Sequence, residues 1–348
     1  MREALRAIDV PRMFGDVPPF MAVEHVANPT ELEAGAAIIG MPYDGLATFR
    51  GGATRRGPQE IRKFSLLFGG YNFDWDLDVL QHLRVADLGD VDVVPGNNAA
   101  SYARLSDRLA VVQARGAVPL TMGGDHGITF PAVAAVAAHH GAPLGLVVFD
   151  THLDLSESFG GDRLTRASPL LRICELDAID PRRVAVVGVR GPRNLPEWTP
   201  IYRKLGISVF TMEDVEARGI AAVAEAARDI ATAEGARLYV SVDIDSVDPA
   251  YAPGTNSPEP GGLTAREIIR GVRIAARDGF AGFDVVEVSP DFDTGSGTTS
   301  VLAARLMAEA LACLAAVRVD RRDAWRTAHA SPSGEASRRL QTPHEVAR

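Results

Sequence analysis

Residues 147–158 read VVFDTHLDLSES: an apolar run stops at Asp150, and Asp150, His152 and Asp154 follow at every second position. Side chains two apart on a strand share a face, so two carboxylates and an imidazole converge if the strand continues that far. Asp243 and Asp245 repeat the spacing in SVDIDSVDP (241–249), and GGDHG (123–127) adds His126. One divalent ion rarely needs so many charged ligands, whereas two ions sharing bridging carboxylates do. Mixed oxygen and nitrogen donors without thiolates suit Mn²⁺, with Zn²⁺, Co²⁺, Ni²⁺ or Fe²⁺ as alternatives. A lone D-x-H-x-D also reads as a solvated strand exit, because Asp and His are ordinary loop and cap residues. The co-occurrence of three such clusters favours the metal reading.

The elements that must position these residues are visible as short apolar runs at 36–43, 83–89, 117–124, 144–150, 183–189, 208–212, 236–245 and 283–290. Between them lie helical patterns at 101–116, 131–141, 220–235 and 264–279, followed by an Ala- and Leu-rich helix at 300–319. Continuous apolar strands alternating with helices predict an α/β three-layer sandwich. Its mostly parallel sheet has about eight strands, with helices on both faces. Thr264 is a candidate N-cap, and Gly116, Gly141, Gly235 and Gly279 sit where helices end. Ligands of such sheets gather outside the carboxyl ends of the strands. The clusters at 123–127, 150–154 and 241–249, and EVSP (287–290), all follow an apolar run in the same sense.

With 348 residues, 46% of them hydrophobic, the chain can bury a large core. We expect one domain over residues 1–320 and a polar C-terminal tail over 321–348 that is mobile or orders only in an oligomer. A formal charge of −9, from 45 acidic against 36 basic residues, argues against nucleic acid or an anionic membrane as partner. It leaves room for a carboxylate-rich cation site. Cys174 and Cys313 stand far apart with no CxxC, which supports neither a disulfide framework nor a thiolate cluster and fits a reducing cytoplasm. The first twenty residues lack the apolar segment of a secretory signal, and no stretch approaches ~18 uninterrupted apolar residues.

The clusters resemble the signature motifs of the ureohydrolase superfamily: arginases, agmatinases and guanidino-acid hydrolases. The likeness covers roughly residues 35–315. It is most agmatinase-like in GMPYDGLATFRGGATRRGPQEIR (40–62), GVRGPRN (188–194), SVDIDSVDPAYAPGTNSPEPGGL (241–263) and DVVEVSPDFD (284–293). The resemblance implies an arginase-like fold and a binuclear-metal amidinohydrolase that splits a guanidino compound into urea and an amine. It implies one ion held by His126, Asp150, Asp154 and Asp243, and a second held by Asp150, His152, Asp243 and Asp245. Glu287 matches the glutamate that receives the substrate guanidinium, and Asp154 is a candidate proton carrier. Asp125 and Asp248 match supporting positions rather than ligands. A homo-oligomer, trimer or hexamer, is implied as well.

Three positions depart from the family pattern. Thr151 replaces an alanine, Gly127 replaces a serine, and SESFGGDRLTRASPLLR (156–172) carries Arg166 where agmatinase-like members have a histidine. In one reading Arg166 turns outward and the loop alignment slips. In another, Arg163 and Arg166 offer a bidentate partner to a carboxylate, favouring a guanidino acid over cationic agmatine. A third is a different proton relay or a small substrate such as guanidine itself. Two wider alternatives also stand: hydrolysis of a formimino compound, and a catalytically silent metal-binding paralogue. His139 and His140 lie in a helical pattern without matched ligands, and Trp75 and Trp198 suit core packing or the rim of a pocket.

Overall fold

The computed structural model describes residues 18–45, 52–141 and 143–328. Its strands in chain order are β1 (Glu24–His25), β2 (Ala36–Met41), β3 (Tyr71–Asn72), β4 (Leu77–Asp78), β5 (Val85–Asp90) and β6 (Val118–Gly123). They continue with β7 (Leu144–Phe149), β8 (Ile179–Val189), β9 (Ser208–Thr211), β10 (Arg237–Asp243) and β11 (Gly282–Val286). Nine of these form one sheet in the order β1-β5-β2-β6-β11-β10-β7-β8-β9, and every pairing in it is parallel. Strands β3 and β4 make a small antiparallel hairpin. The eight expected strands are present. The ninth is β1, two residues at the sheet edge, too short to leave a periodic signal.

Alternate strand residues serve two separate cores. Ile38, Val147 and Phe149 join one face, packed by helices Gly57–Ser65, Met212–Ala231, Ala265–Ala275 and Thr298–Arg318. Ile39, Leu146 and Val148 join the other, packed by helices Asn98–Ala114, Thr129–His140, Pro169–Cys174 and Trp198–Leu205. Burial on both faces is why these strands read as unbroken apolar runs.

Local signals set the helix ends. Thr264 caps its helix in a reciprocal box with Glu267, and Gly141 ends Thr129–His140 at φ 56°. The helix expected to start at residue 220 starts earlier, at Met212. The Thr211–Asp214 capping box opens it, and Gly219, at φ 76° and ψ 146°, breaks its regularity and hides the first turns.

Helix Thr298–Arg318 is long and apolar enough to cross a bilayer by length and composition alone, yet most of it is buried in the core. Its Glu309 points inward, where Arg273, Arg305, Trp75 and Asn72 all donate to the carboxylate. Trp75 and Trp198 are both core residues. The tail expected from residue 321 begins in contact with the domain: Trp325 packs edge-on to Trp75, and Arg326 pairs with Glu225. Residues 329–348 lie outside the described residues.

Candidate active site

Four adjacent strands, β6, β11, β10 and β7, end at one level in the middle of the sheet. Asp243 pairs in register with Val286, Val242 with Phe149, and Val285 with Met122. The last residue of β10, Asp243, and residues just beyond the other three strands, His126, Glu287 and Asp150, come to one edge, as ligands of open parallel sheets do.

Alternation on a continuing strand is not how the ligand-type residues converge. Strand β7 stops at Phe149, and Asp150 Oδ1 then accepts from the backbone N–H of His152 at 2.6 Å. Asn194 Oδ1 accepts from the Leu153 N–H at 3.0 Å, and Asp154 takes the left-handed φ of 46°. Asp243 closes β10 and accepts from Asp245 N–H at 2.8 Å as the chain enters a short 3-10 turn. Hydrogen-bonded turns, rather than a pleat, turn every second side chain inward.

The result is two overlapping clusters. His126 Nδ1 lies 3.0 Å from Asp150 Oδ2, 3.1 Å from Asp154 Oδ2 and 3.3 Å from Asp243 Oδ2. His152 Nδ1 lies 3.2 Å from Asp245 Oδ2 and 3.7 Å from Asp150 Oδ1. The donor atoms of His126, Asp150 and Asp243, and those of Asp150, His152 and Asp245, are each close enough together to surround one ion. All six side chains are buried.

The chemistry of this donor set fits divalent ions. Ser241 Oγ donates to Asp284 Oδ1 at 2.6 Å and lies 3.3 Å from His126 Nε2. With its one proton committed to Asp284, Ser241 accepts from Nε2–H, so a neutral His126 offers Nδ1 to an ion; without one, Asp150, Asp154 and Asp243 overcome burial and raise the imidazole well above its usual pKa. His126 Nδ1 and His152 Nε2 are buried and have no hydrogen-bond partner among the described residues. Donors about 2.1 Å from a small ion stand about 3 Å apart, as they do here. Electrostatics give the same demand for positive charge. Burial and the neighbouring Asp154 push Asp150 up to about 7, and burial with Asp245 and Asp150 pushes Asp243 well up. Burial disfavours His152 as a cation, but Asp245 and Asp150 overcome it and raise the imidazole to about 9.

Glu287 stands beside this cluster at φ 63°. Its Oε1 accepts the His126 backbone N–H at 2.9 Å and its Oε2 accepts from Arg166 Nη1 at 3.0 Å. Burial raises its pKa to about 8 despite the Arg166 charge, which pulls the other way.

Arg166 therefore points inward, so its loop does not slip outward. Arg163 does not join it: that side chain is 55% exposed and pairs with Glu157 and Glu175, because the turn at Phe159–Asp162 leaves it on the outer surface. Asp125 accepts from Gly45 and Gly127 N–H groups, and Asp248 from those of Ala250, Gly261 and Gly262, so both stabilise turns. The departures have local causes as well. Thr151 donates its hydroxyl to the Asp245 carbonyl at 2.7 Å, and a Cβ on Gly127 would collide with the Tyr102 hydroxyl.

Two contributors carry no strong local pattern. The Asp44 carboxylate, 3% exposed, accepts from Arg166 Nη2 at 2.9 Å; its only signal is a carboxylate just after an apolar strand. Asp284, behind His126, is a lone charge inside the apolar run of β11.

The arginase family model matches residues 34–313. A guanidinopropionase of Pseudomonas aeruginosa is 38% identical over 317 residues, covering 90% of this chain and 96% of that protein. A guanidinobutyrase of the same organism is 37% identical, covering 91% and 98%. The solved structure of proclavaminate amidino hydrolase from Streptomyces clavuligerus superposes with a TM-score of 0.80 at 34% identity, covering 88% of this chain and 99% of that one.

Proposed function

This chain belongs to the arginase family and hydrolyses guanidino compounds; from that premise we propose that its substrates are guanidino acids and that its metal is a pair of Mn²⁺ ions. One observation carries the reading: a buried imidazole nitrogen lies 3.0–3.3 Å from three carboxylate oxygens, next to a further buried carboxylate, Glu287.

In this reading His126, Asp150, Asp154 and Asp243 would hold one ion, and Asp150, His152, Asp243 and Asp245 would hold the other. When bound, the ions supply acidification of water at neutral pH, which a resonance-stabilised guanidinium carbon requires. Glu287 pairs with the planar guanidinium and fixes the direction from which its carbon is attacked. The His126 backbone N–H holds that carboxylate in place. Asp154 carries a proton from the attacking water to the leaving nitrogen. The carbon–nitrogen bond breaks, an amine departs, and urea remains. The mixed nitrogen and oxygen donor set, free of thiolates, suits Mn²⁺, with Ni²⁺, Co²⁺ and Zn²⁺ able to use the same ligands.

Purified protein loaded separately with each metal, given 3-guanidinopropionate, 4-guanidinobutyrate and agmatine, tests this through urea release. We expect urea from the acids, fastest with Mn²⁺. Ammonia or formamide without urea, or no turnover with any metal, would overturn it.

A further inference from the structure

Arg166 already places a guanidinium on the carboxylate proposed above to receive one. Nη1 donates to Glu287 Oε2 at 3.0 Å, Nη2 donates to Asp44 Oδ1 at 2.9 Å, and Asp125 Oδ2 lies 3.4 Å away. The opposite oxygens are committed elsewhere: Glu287 Oε1 to the His126 N–H, and Asp44 Oδ2 to Gly52 N–H and the Thr54 amide and hydroxyl. Arg166 is only 5% exposed, so it holds this position as a desolvated cation. A second guanidinium cannot share Glu287 Oε2 with it without two like charges in contact. One must leave as the other arrives.

We propose, on the basis of the function above, that Arg166 and the substrate exchange ion-pair partners, and that this exchange selects substrates with a carboxylate distal to their guanidinium. An acidic tail offers Arg166 a bidentate partner while the substrate guanidinium takes Glu287, so each buried charge trades one partner for another. A cationic tail offers nothing and adds a like charge. A tail-less guanidinium displaces Arg166 without replacing the lost contact. The order of preference is acidic, then tail-less, then cationic.

The test is urea-release kinetics of the full-length, metal-loaded enzyme and its Arg166→Met and Arg166→Lys variants with 3-guanidinopropionate, methylguanidine and agmatine. In the unmodified enzyme the acid should have the lowest KM. Arg166→Met should raise that KM roughly 10- to 100-fold, the value of a charged hydrogen-bonded contact, while lowering KM for the other two. Arg166→Lys, a cation without the fork, should keep the order and narrow the spread. A second measurement needs no variant: propionate supplied separately should lower the KM for methylguanidine by giving Arg166 its carboxylate. Urea formation with no preference by tail charge and no propionate effect would overturn the exchange while leaving guanidine hydrolysis intact. Equal KM shifts for all three substrates in Arg166→Met would do the same. Absence of urea from every substrate would overturn the underlying function.

Discussion

Asp284 stands one hydroxyl behind His126: Ser241 Oγ donates to the carboxylate at 2.6 Å and meets the imidazole Nε2 at 3.3 Å. Tyr239 and Thr129 also donate to Asp284, fixing it within β11. This arrangement sets the tautomer of His126 from behind, and such supports typically alter metal affinity by 10–100-fold. Ser241→Ala should therefore weaken metal retention by about 10- to 100-fold, measured as metal content after dialysis against graded chelator. Retention unchanged at every chelator concentration would show that Ser241 does not orient the ring.

Asp150 belongs to both donor clusters. Asp150→Asn removes a charge from each, so both ions should be lost together and urea formation should fall by more than about a hundredfold, beyond the effect of a supporting residue. Metal analysis and turnover give the answer. A variant that keeps one ion tightly, or keeps both with normal turnover, would break the assignment of Asp150 as shared.

Gly127 leaves room for the Tyr102 hydroxyl, which a Cβ would strike. Gly127→Ser should cost about 1–3 kcal/mol of stability through overpacking. Tyr102→Phe removes the colliding oxygen and should recover most of that loss. Denaturant melts of the two single variants and the double variant give the coupling directly. Additive effects would mean that the two positions do not meet.

Glu309 is fully buried, and burial alone would raise its pKa. The hydrogen bonds and charge of Arg273, with Arg305, outweigh that and hold it below 4.5. A carboxylate depressed on folding contributes stability above its unfolded pKa and loses it as pH falls through the folded value. Glu309→Gln should cost about 3–5 kcal/mol at neutral pH, the range for breaking a buried pair. The gap to the unmodified protein should narrow in acid below about pH 4. Urea melts across that range provide the measurement, and a gap independent of pH would exclude this role for Glu309.

What could be read from the chain depended on whether a signal was local or relational. The central strands were legible because burial on both faces makes them continuously apolar. The six ligand-type residues were legible because each cluster follows such a strand. The route to convergence was not: D-x-H-x-D suggests a pleat, whereas turns at Asp150–Asp154 and Asp243–Ser246 do the work. The pairing of Arg166 with Glu287 spans 121 residues and has no periodic trace. Arg163 and Arg166 look equivalent in sequence, and only the fold of their loop sends one in and the other out.

Asp154 and Glu287 share the left-handed backbone at φ 46° and 63°. Side chains beyond glycine adopt that region at a cost of order 1–3 kcal/mol each. A glycine at either position would therefore relax the backbone while abolishing a group assigned to chemistry. At Asp154, whose charge also repels Asp150, thermal robustness alone favours that relaxation and only a demand for turnover opposes it; at Glu287 the buried pair with Arg166 opposes it as well. In a lineage released from that demand, Asp154 is where erosion would begin.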